Sequence, residues 1–163
     1  MNMRKRFVLA PAVALLGVAV IAGLVQATPS SGLTSTTIAT GSLDPINLVV
    51  KNGDWMAQLR TKGQSTLTVV ENDVAPGGTF GWHSHPGPSL IIVKSGTLTF
   101  YRGDDPTCTP EVHSAGEAFV DPGTDVHIGR NEGTVVAVVI VTRLLPVGVP
   151  ARIDEPNPGT CGF

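Results

Sequence analysis

The sequence predicts an all-β fold, a sandwich or a barrel, for the part of the chain that follows its first 27 residues. Short runs rich in Val, Ile, Leu, Thr and aromatic residues recur there, and most end at a turn of Gly, Pro, Asn or Asp. No segment in this part repeats apolar residues at a helical period over three turns. Strands are therefore expected within residues 48–50, 55–60, 66–74, 90–93, 97–101, 118–120, 126–128 and 134–145.

The first 27 residues have the composition of a secretory signal peptide. Arg4, Lys5 and Arg6 precede an uncharged run, 7–25, that is rich in Ala, Val and Leu, and Ala27 ends a small-x-small cleavage pattern. The alternative is an uncleaved membrane anchor, because the run approaches the length that spans a bilayer. Cleavage after Ala27 is the preferred interpretation, and it predicts a secreted or extracytoplasmic protein that is free of the membrane after processing.

The remaining residues are enough for one domain and short for two. Residues 28–42 are dominated by Ser, Thr and Gly and are predicted to form a flexible leader. Residues 43–145 contain all eight predicted strands and form the expected domain. Residues 146–163 are rich in Pro and Gly, so this C-terminal tail is expected to wrap as an extended segment without adding to the core.

Charge and cysteine content narrow the classes of partner and compartment. After signal cleavage the chain has 8 Lys and Arg against 13 Asp and Glu, a net charge near −5 without a basic run, so nucleic acid is not an expected partner. The two cysteines, Cys108 and Cys161, both lie in the exported part, where oxidation is permitted. They allow one pairing, which would join the tail to the loop 104–110; a redox or metal-ligand role is the less favoured alternative.

The most informative segment is 77–88, which contains two of the four histidines. His83 and His85 are two residues apart in a stretch that reads as extended. Their side chains should therefore point to the same face. Such a pair is either half of a metal site or two surface imidazoles.

A third histidine, His127, completes a pattern that resembles the two signature motifs of the cupin superfamily. The first motif is matched by Gly77, His83, His85 and Gly96, and the second by Gly116, Pro122, His127 and Asn131. The glycine of the Pro-x-Gly element is displaced by one position, to Gly123. The resemblance covers roughly residues 67–145 and implies a small double-sheet β-barrel, or jelly roll.

The resemblance also implies a divalent metal, Fe, Mn or Zn, held in the barrel by His83, His85 and His127. Neutral imidazoles suit these ions, and three ligands leave open positions for water or substrate. The family usually adds a Glu, but Ser89 stands at that position. Loss of this carboxylate predicts a weaker three-His site with Ser89 as a pocket-lining hydroxyl. The alternative is a metal-free barrel whose histidines hydrogen-bond one another or water.

Other candidate residues have structural interpretations. His113 lies outside both motifs and is expected to be an exposed or hydrogen-bonded strand residue, not a ligand. Trp82 has the opposite parity to the histidine pair, so it should pack on the other face. Phe100 and Tyr101 alternate on one strand, and one of them should line the cavity.

Three functional hypotheses remain open from the sequence. The first is an exported metal-binding cupin with oxygenase or isomerase activity on a small molecule, although no catalytic residue is identified and enzymatic activity is left uncertain. The second is a non-catalytic extracytoplasmic module that binds a small ligand or metal. The third is a metal-free structural barrel. The resemblance also implies a homodimer, since cupins often pair through an edge strand.

Overall fold

The structure is a computed structural model, and it describes residues 27–163. Apart from Ala27, the predicted signal peptide lies outside the described residues. Residues 27–163 form strands and no α-helix, and accordingly no helix in this range could cross a membrane. The strands are β1 (Ser31–Leu43), β2 (Asn47–Asn52), β3 (Trp55–Arg60), β4 (Ser65–Thr79), β5 (His83–Ser84), β6 (Ser89–Ser95), β7 (Thr97–Arg102), β8 (Glu111–Ser114), β9 (Ala118–Asp121), β10 (His127–Arg130), β11 (Ala137–Pro146) and β12 (Ile153–Asp154).

Ten of these strands form one antiparallel sheet that curls into a nearly closed barrel, which confirms the all-β, jelly-roll prediction. The main path of the sheet runs β12-β5-β10-β4-β11-β6-β9, while β1 pairs with β4, β7 with β10, and β8 with β7. The strands β2 and β3 form a separate two-stranded hairpin. Each of the eight runs predicted from the sequence overlaps one of the observed strands.

The prediction of a flexible leader at residues 28–42 was wrong. Ser31–Leu43 is the strand β1, which pairs antiparallel with β4 from Ser31 opposite Thr79 to Leu43 opposite Ser65. Almost all side chains of β1 are exposed and contribute little to the core. The strand therefore needs few large apolar residues, and its Ser, Thr and Gly content looks like that of a linker. Main-chain pairing with β4 holds it instead, and its Thr residues suit a strand.

The core has two parts, one on each side of the wall formed by β5, β7 and β10. Side chains alternate between the two faces of a strand, so His83, Phe100 and His127 point to the inside of the barrel. The residues next to them in sequence point to the outside. The inner cluster consists of Val74, Phe80, Ile91, Val93, Leu98, Ala137, Val139 and Val141. The outer cluster consists of Trp82, Tyr101, Ile128 and Cys161. Trp82 therefore packs on the face opposite the histidines, as the sequence predicted.

The C-terminal tail adds to the core, contrary to the expectation from its composition. Cys161 is 4% exposed and belongs to the outer cluster, and the ring of Phe163 stacks on Trp82. Cys161 is disulfide-bonded to Cys108, with their Cα atoms 5.2 Å apart, which is the pairing the sequence predicted. Composition alone could not show that this covalent link draws the end of the tail onto the barrel.

Candidate metal centre

Three histidines converge inside the barrel. His83 lies on β5 and is the register partner of His127 on β10, and His85 follows β5. The ring centroids are 4.4 Å apart for His83 and His127, 4.7 Å for His83 and His85, and 5.3 Å for His85 and His127. One ring nitrogen from each residue lies within 4.8 Å of the other two. All three side chains are buried, so His83 and His85 of the first motif form one cluster with His127 of the second.

The turn that carries Gly123 brings His85 into this cluster. The main-chain oxygen of Gly123 accepts a hydrogen bond from the main-chain N–H of His85, at 2.6 Å. Gly123 has φ = 99°, and a Cβ at this position would collide with the carbonyl oxygen of Gly87. Only glycine satisfies both conditions without strain. The glycine displaced by one position from the family pattern therefore has a defined structural role.

Each of the three imidazoles is oriented by a main-chain carbonyl group. Nδ1 of His83 hydrogen-bonds to the carbonyl oxygen of Gly81 (2.8 Å), and Nδ1 of His85 to that of Ala151 (2.7 Å). Nδ1 of His127 hydrogen-bonds to the carbonyl oxygen of Asp125 (2.7 Å). A carbonyl oxygen can only accept, so Nδ1 is the protonated nitrogen in every case. The Nε2 atoms are left with free lone pairs, which is the form in which imidazole binds a metal.

The surroundings keep these imidazoles uncharged. Burial lowers the pKa of His83 to about 2, and the nearby charges of His127 and Arg152 act in the same direction. Burial likewise lowers the pKa of His85 to about 4. The pKa of His127 is also lowered by burial, and the neighbouring Asp121 opposes this shift. At neutral pH the cluster therefore presents three neutral nitrogen donors.

A carboxylate that the sequence analysis missed lies beside the histidines. Asp121, at the end of β9, is 1% exposed, and its Oδ1 accepts the main-chain N–H of Gly123 at 2.8 Å. Its Oδ2 lies 3.3 Å from Nε2 of His127 and 3.6 Å from Nε2 of His85. Within residues 27–163 this Oδ2 has no hydrogen-bond partner. Burial raises the pKa of this carboxyl group.

The signal for Asp121 was weak in the sequence. An acid directly before Pro122 and Gly123 reads as a turn residue. Its role depends on the pairing of β6 with β9, which places Asp121 directly opposite Ser89. Strand register of this kind is not visible in a motif search.

The other candidate residues can now be placed. Ser89 is fully buried and lines the cavity, as predicted. Phe100 lines the cavity, whereas Tyr101 faces away from it and donates a hydrogen bond to Glu132. His113 lies on β8, as expected for a strand residue outside the cluster, but it is half-buried and its ring stacks on Phe119, with centroids 3.9 Å apart.

The histidines face a small cavity with a volume of about 30 Å³, which is room for about two water molecules. Its polar lining, apart from the histidines, consists of Ser89, Asp121 and Arg143, and its apolar lining consists of Phe80, Ile91, Leu98, Phe100, Val139 and Val141. Arg143 is the register partner of Ser89 on β11, so the three polar residues lie in one row across neighbouring strands. Burial lowers the pKa of Arg143.

The cluster of His83, His85 and His127 can hold a metal ion, because its donors are convergent, buried and uncharged. Imidazole nitrogens are suitable ligands for Fe, Mn and Zn, and the donor set does not select among them. The residues present therefore fit the type of ion that the sequence resemblance implied.

Comparisons with known proteins agree with this architecture. Residues 70–143 match the family model described as the cupin domain. A cupin-2 domain protein from Rhodospirillum rubrum is 12% identical, with 78% of this chain and 68% of that chain covered and a TM-score of 0.51. A cupin-like protein from Thermotoga maritima is 22% identical, with 56% and 65% covered and a TM-score of 0.49.

A protein with a double-stranded β-helix domain from Klebsiella pneumoniae is 20% identical to this chain. That comparison covers 69% of this chain and 86% of that chain, with a TM-score of 0.45. Among curated proteins, no match to this sequence was found. The family-model match to residues 70–143 therefore supports a cupin domain, and the likeness to the Rhodospirillum rubrum protein supports the fold alone.

Proposed function

We propose that this chain, which belongs to the cupin superfamily, is an exported metal-dependent protein that binds one divalent ion through Nε2 of His83, His85 and His127. In this proposal a small organic molecule is taken up beside the ion. The reaction class is that of an oxygenase or an isomerase.

The observation that carries the proposal is the set of three hydrogen bonds from Nδ1 to main-chain carbonyls. A buried histidine cluster without a metal role would be expected to hydrogen-bond through both ring nitrogens. Here Nδ1 is the protonated nitrogen of all three rings, so each Nε2 keeps its lone pair, and one ring nitrogen from each residue lies within 4.8 Å of the other two. A histidine that binds a metal through one ring nitrogen usually donates its other ring N–H to a carbonyl or carboxylate group, which fixes the orientation of the ring.

A bound divalent ion would supply Lewis acidity toward an oxygen-bearing ligand. The chain itself contributes an apolar lining, with Ile91, Leu98 and Phe100 among the residues that limit the space available to water. The guanidinium group of Arg143 lies on the same lining and can pair with an anionic group. Together with the cavity volume of about 30 Å³, these features favour a ligand of only a few non-hydrogen atoms that carries an anionic or polar group.

Export is supported by the composition of residues 1–27 and by the disulfide between Cys108 and Cys161. Disulfides of this structural type persist in oxidising compartments outside the cytosol. Detection of the processed chain outside the cytoplasm, beginning at Thr28, would test this part of the proposal. A chain that retains residues 1–27 in the membrane would contradict it.

The metal assignment is tested by metal analysis of the purified protein after incubation with Fe(II), Mn(II) or Zn(II). We expect about one equivalent in the wild type and less than about a tenth of an equivalent in His127→Ala, because this variant loses one of the three imidazole donors and should bind the ion too weakly to retain it through desalting. His113→Ala is the matched control and should retain about one equivalent. Circular dichroism of each metal-free variant checks that it is folded.

Two results would contradict the assignment. Less than about a tenth of an equivalent in the wild type with all three ions would favour a metal-free barrel. Equal losses in His127→Ala and His113→Ala would mean that the ion is held elsewhere. With the ion in place, turnover of candidate substrates then separates an enzyme from a non-catalytic binding module.

A further inference from the structure

We propose that Asp121 is a fourth protein ligand of this centre, and that its Oδ2 replaces the carboxylate that the family pattern places at position 89. This inference rests on the proposed metal-binding function. In this inference the carboxylate ligand comes from β9, which lies outside the first histidine motif.

The position of Oδ2 is that of a ligand atom beside the histidine nitrogens. It lies 3.3 Å from Nε2 of His127 and 3.6 Å from Nε2 of His85. Two ligand atoms that each lie about 2.1 Å from the same ion are roughly 3.0 to 3.4 Å apart. The carboxylate therefore needs to move only by a few tenths of an ångström to share an ion with these two histidines.

The pattern of donors and acceptors also points to a cation. Nδ1 carries the proton in both His85 and His127, so their Nε2 atoms are acceptors, and an ionised Oδ2 is an acceptor as well. Three acceptors in contact in a buried site repel one another unless a positive charge or a proton lies between them. A divalent ion provides that charge. A proton held by Asp121 is the competing explanation.

Strand register explains why a residue on β9 can substitute for one on β6. Ser89 and Asp121 lie directly opposite each other, so side chains from the two positions can reach the same region of the cavity. The short Ser89 side chain leaves room for the carboxylate, and its Oγ has no hydrogen-bond partner in the described chain. The charge lost at position 89 is thus restored from the neighbouring strand.

The experiment compares metal affinity in the wild type, Asp121→Asn and Asp104→Asn. Asp104 is exposed and does not line the cavity, so Asp104→Asn removes the same charge without touching the cluster or the carbonyls that orient it. Competition titrations with Mn(II) and Zn(II) should show a loss of at least about tenfold for Asp121→Asn and little change for Asp104→Asn. The visible spectrum of the Co(II)-substituted protein should change only in Asp121→Asn.

Thermal denaturation without metal separates a ligand from a structural residue. Asn at position 121 can still accept from Gly123 through Oδ1, and its amide can donate to the Nε2 lone pair of His127. We therefore expect metal-free Asp121→Asn to be at least as stable as the wild type while it binds metal more weakly. As a second variant, Ser89→Glu combined with Asp121→Asn should recover part of the affinity.

Unchanged affinity and an unchanged Co(II) spectrum in Asp121→Asn would overturn the inference and favour the shared proton. A loss of affinity that only parallels a loss of metal-free stability would also overturn it, because Asp121 would then be structural. If the wild type binds no metal, the proposed function itself fails. Absence of metal in the wild type is distinct from the two outcomes that overturn only the role of Asp121, because in both of those the wild type binds metal.

Discussion

His83, His85 and His127 each donate the Nδ1 proton to a main-chain carbonyl, so the backbone and not a set of acidic side chains determines how they point. A change in a loop that moves one of these carbonyls should therefore disturb the site as much as a change in a ligand. The Gly123 turn is one such place, because it bonds to both His85 and Asp121.

The uncharged state of the histidines predicts how stability without metal depends on pH. In the unfolded chain their pKa is near 6.5, whereas burial lowers it to about 4 for His85 and to about 2 for His83. Below pH 6.5 the unfolded state binds more protons than the folded state. Stability is therefore complete above pH 6.5 and is lost as the pH falls through and below this value, by up to about 1.4 kcal/mol per pH unit for each histidine.

Asp121 opposes this trend. Burial raises its pKa, so protonation of Asp121 at low pH favours the folded state. The three histidines, whose pKa values are all lowered, should outweigh this single carboxyl group. Chemical denaturation of chelator-treated protein at pH 7 and pH 5 measures the difference. We expect a lower free energy of unfolding at pH 5, and a smaller difference in His83→Gln. Equal stability at the two pH values would show that the histidines are protonated as easily in the fold as in the unfolded chain.

At the scale of elements, the C-terminal tail supports the strand β5, which carries His83 and leads directly into His85. The strand β12 pairs with β5, with Ile153 opposite Ser84 and Asp154 opposite His83. The carboxylate of Glu155 accepts a hydrogen bond from the Ser84 hydroxyl. Ala151, just before β12, supplies the carbonyl that orients His85. The tail therefore helps to position the histidine cluster, although its composition suggested a covering segment.

The disulfide is the link that holds this tail, and its removal should weaken both the fold and the site. For the double variant Cys108→Ser and Cys161→Ser, closure of a loop with a sequence separation of 53 predicts a loss on the order of 4 kcal/mol. Metal affinity should also fall at temperatures where the variant stays folded, because the Ala151 carbonyl is no longer held against His85. Denaturation and competition titration measure the two effects.

The matched comparison is the wild type before and after treatment with a reductant. Reduction should reproduce the double variant, and the double variant itself should not respond to the reductant. Unchanged metal affinity after complete reduction would mean that pairing of β12 with β5 is sufficient to hold the tail.

For the whole molecule, the sequence predicted the parts of the fold that rest on local patterns. The alternating runs, the two histidine motifs and the single cysteine pair each carry their own signal, and the structure bears out the barrel and the convergence of His83, His85 and His127. The strand β1 was missed because its stability comes from pairing with a distant strand, not from apolar side chains. Asp121 was missed for a related reason, since only the register of β6 and β9 places it beside Ser89.

The most direct test of the account is a crystal structure of the Mn(II)- or Zn(II)-loaded protein, with anomalous diffraction data collected at the absorption edge of the metal. The account predicts one strong anomalous peak in the barrel cavity, bonded to Nε2 of His83, His85 and His127 and to Oδ2 of Asp121. A fully loaded protein whose peak lies away from these histidines, or whose cavity contains no peak, would contradict it.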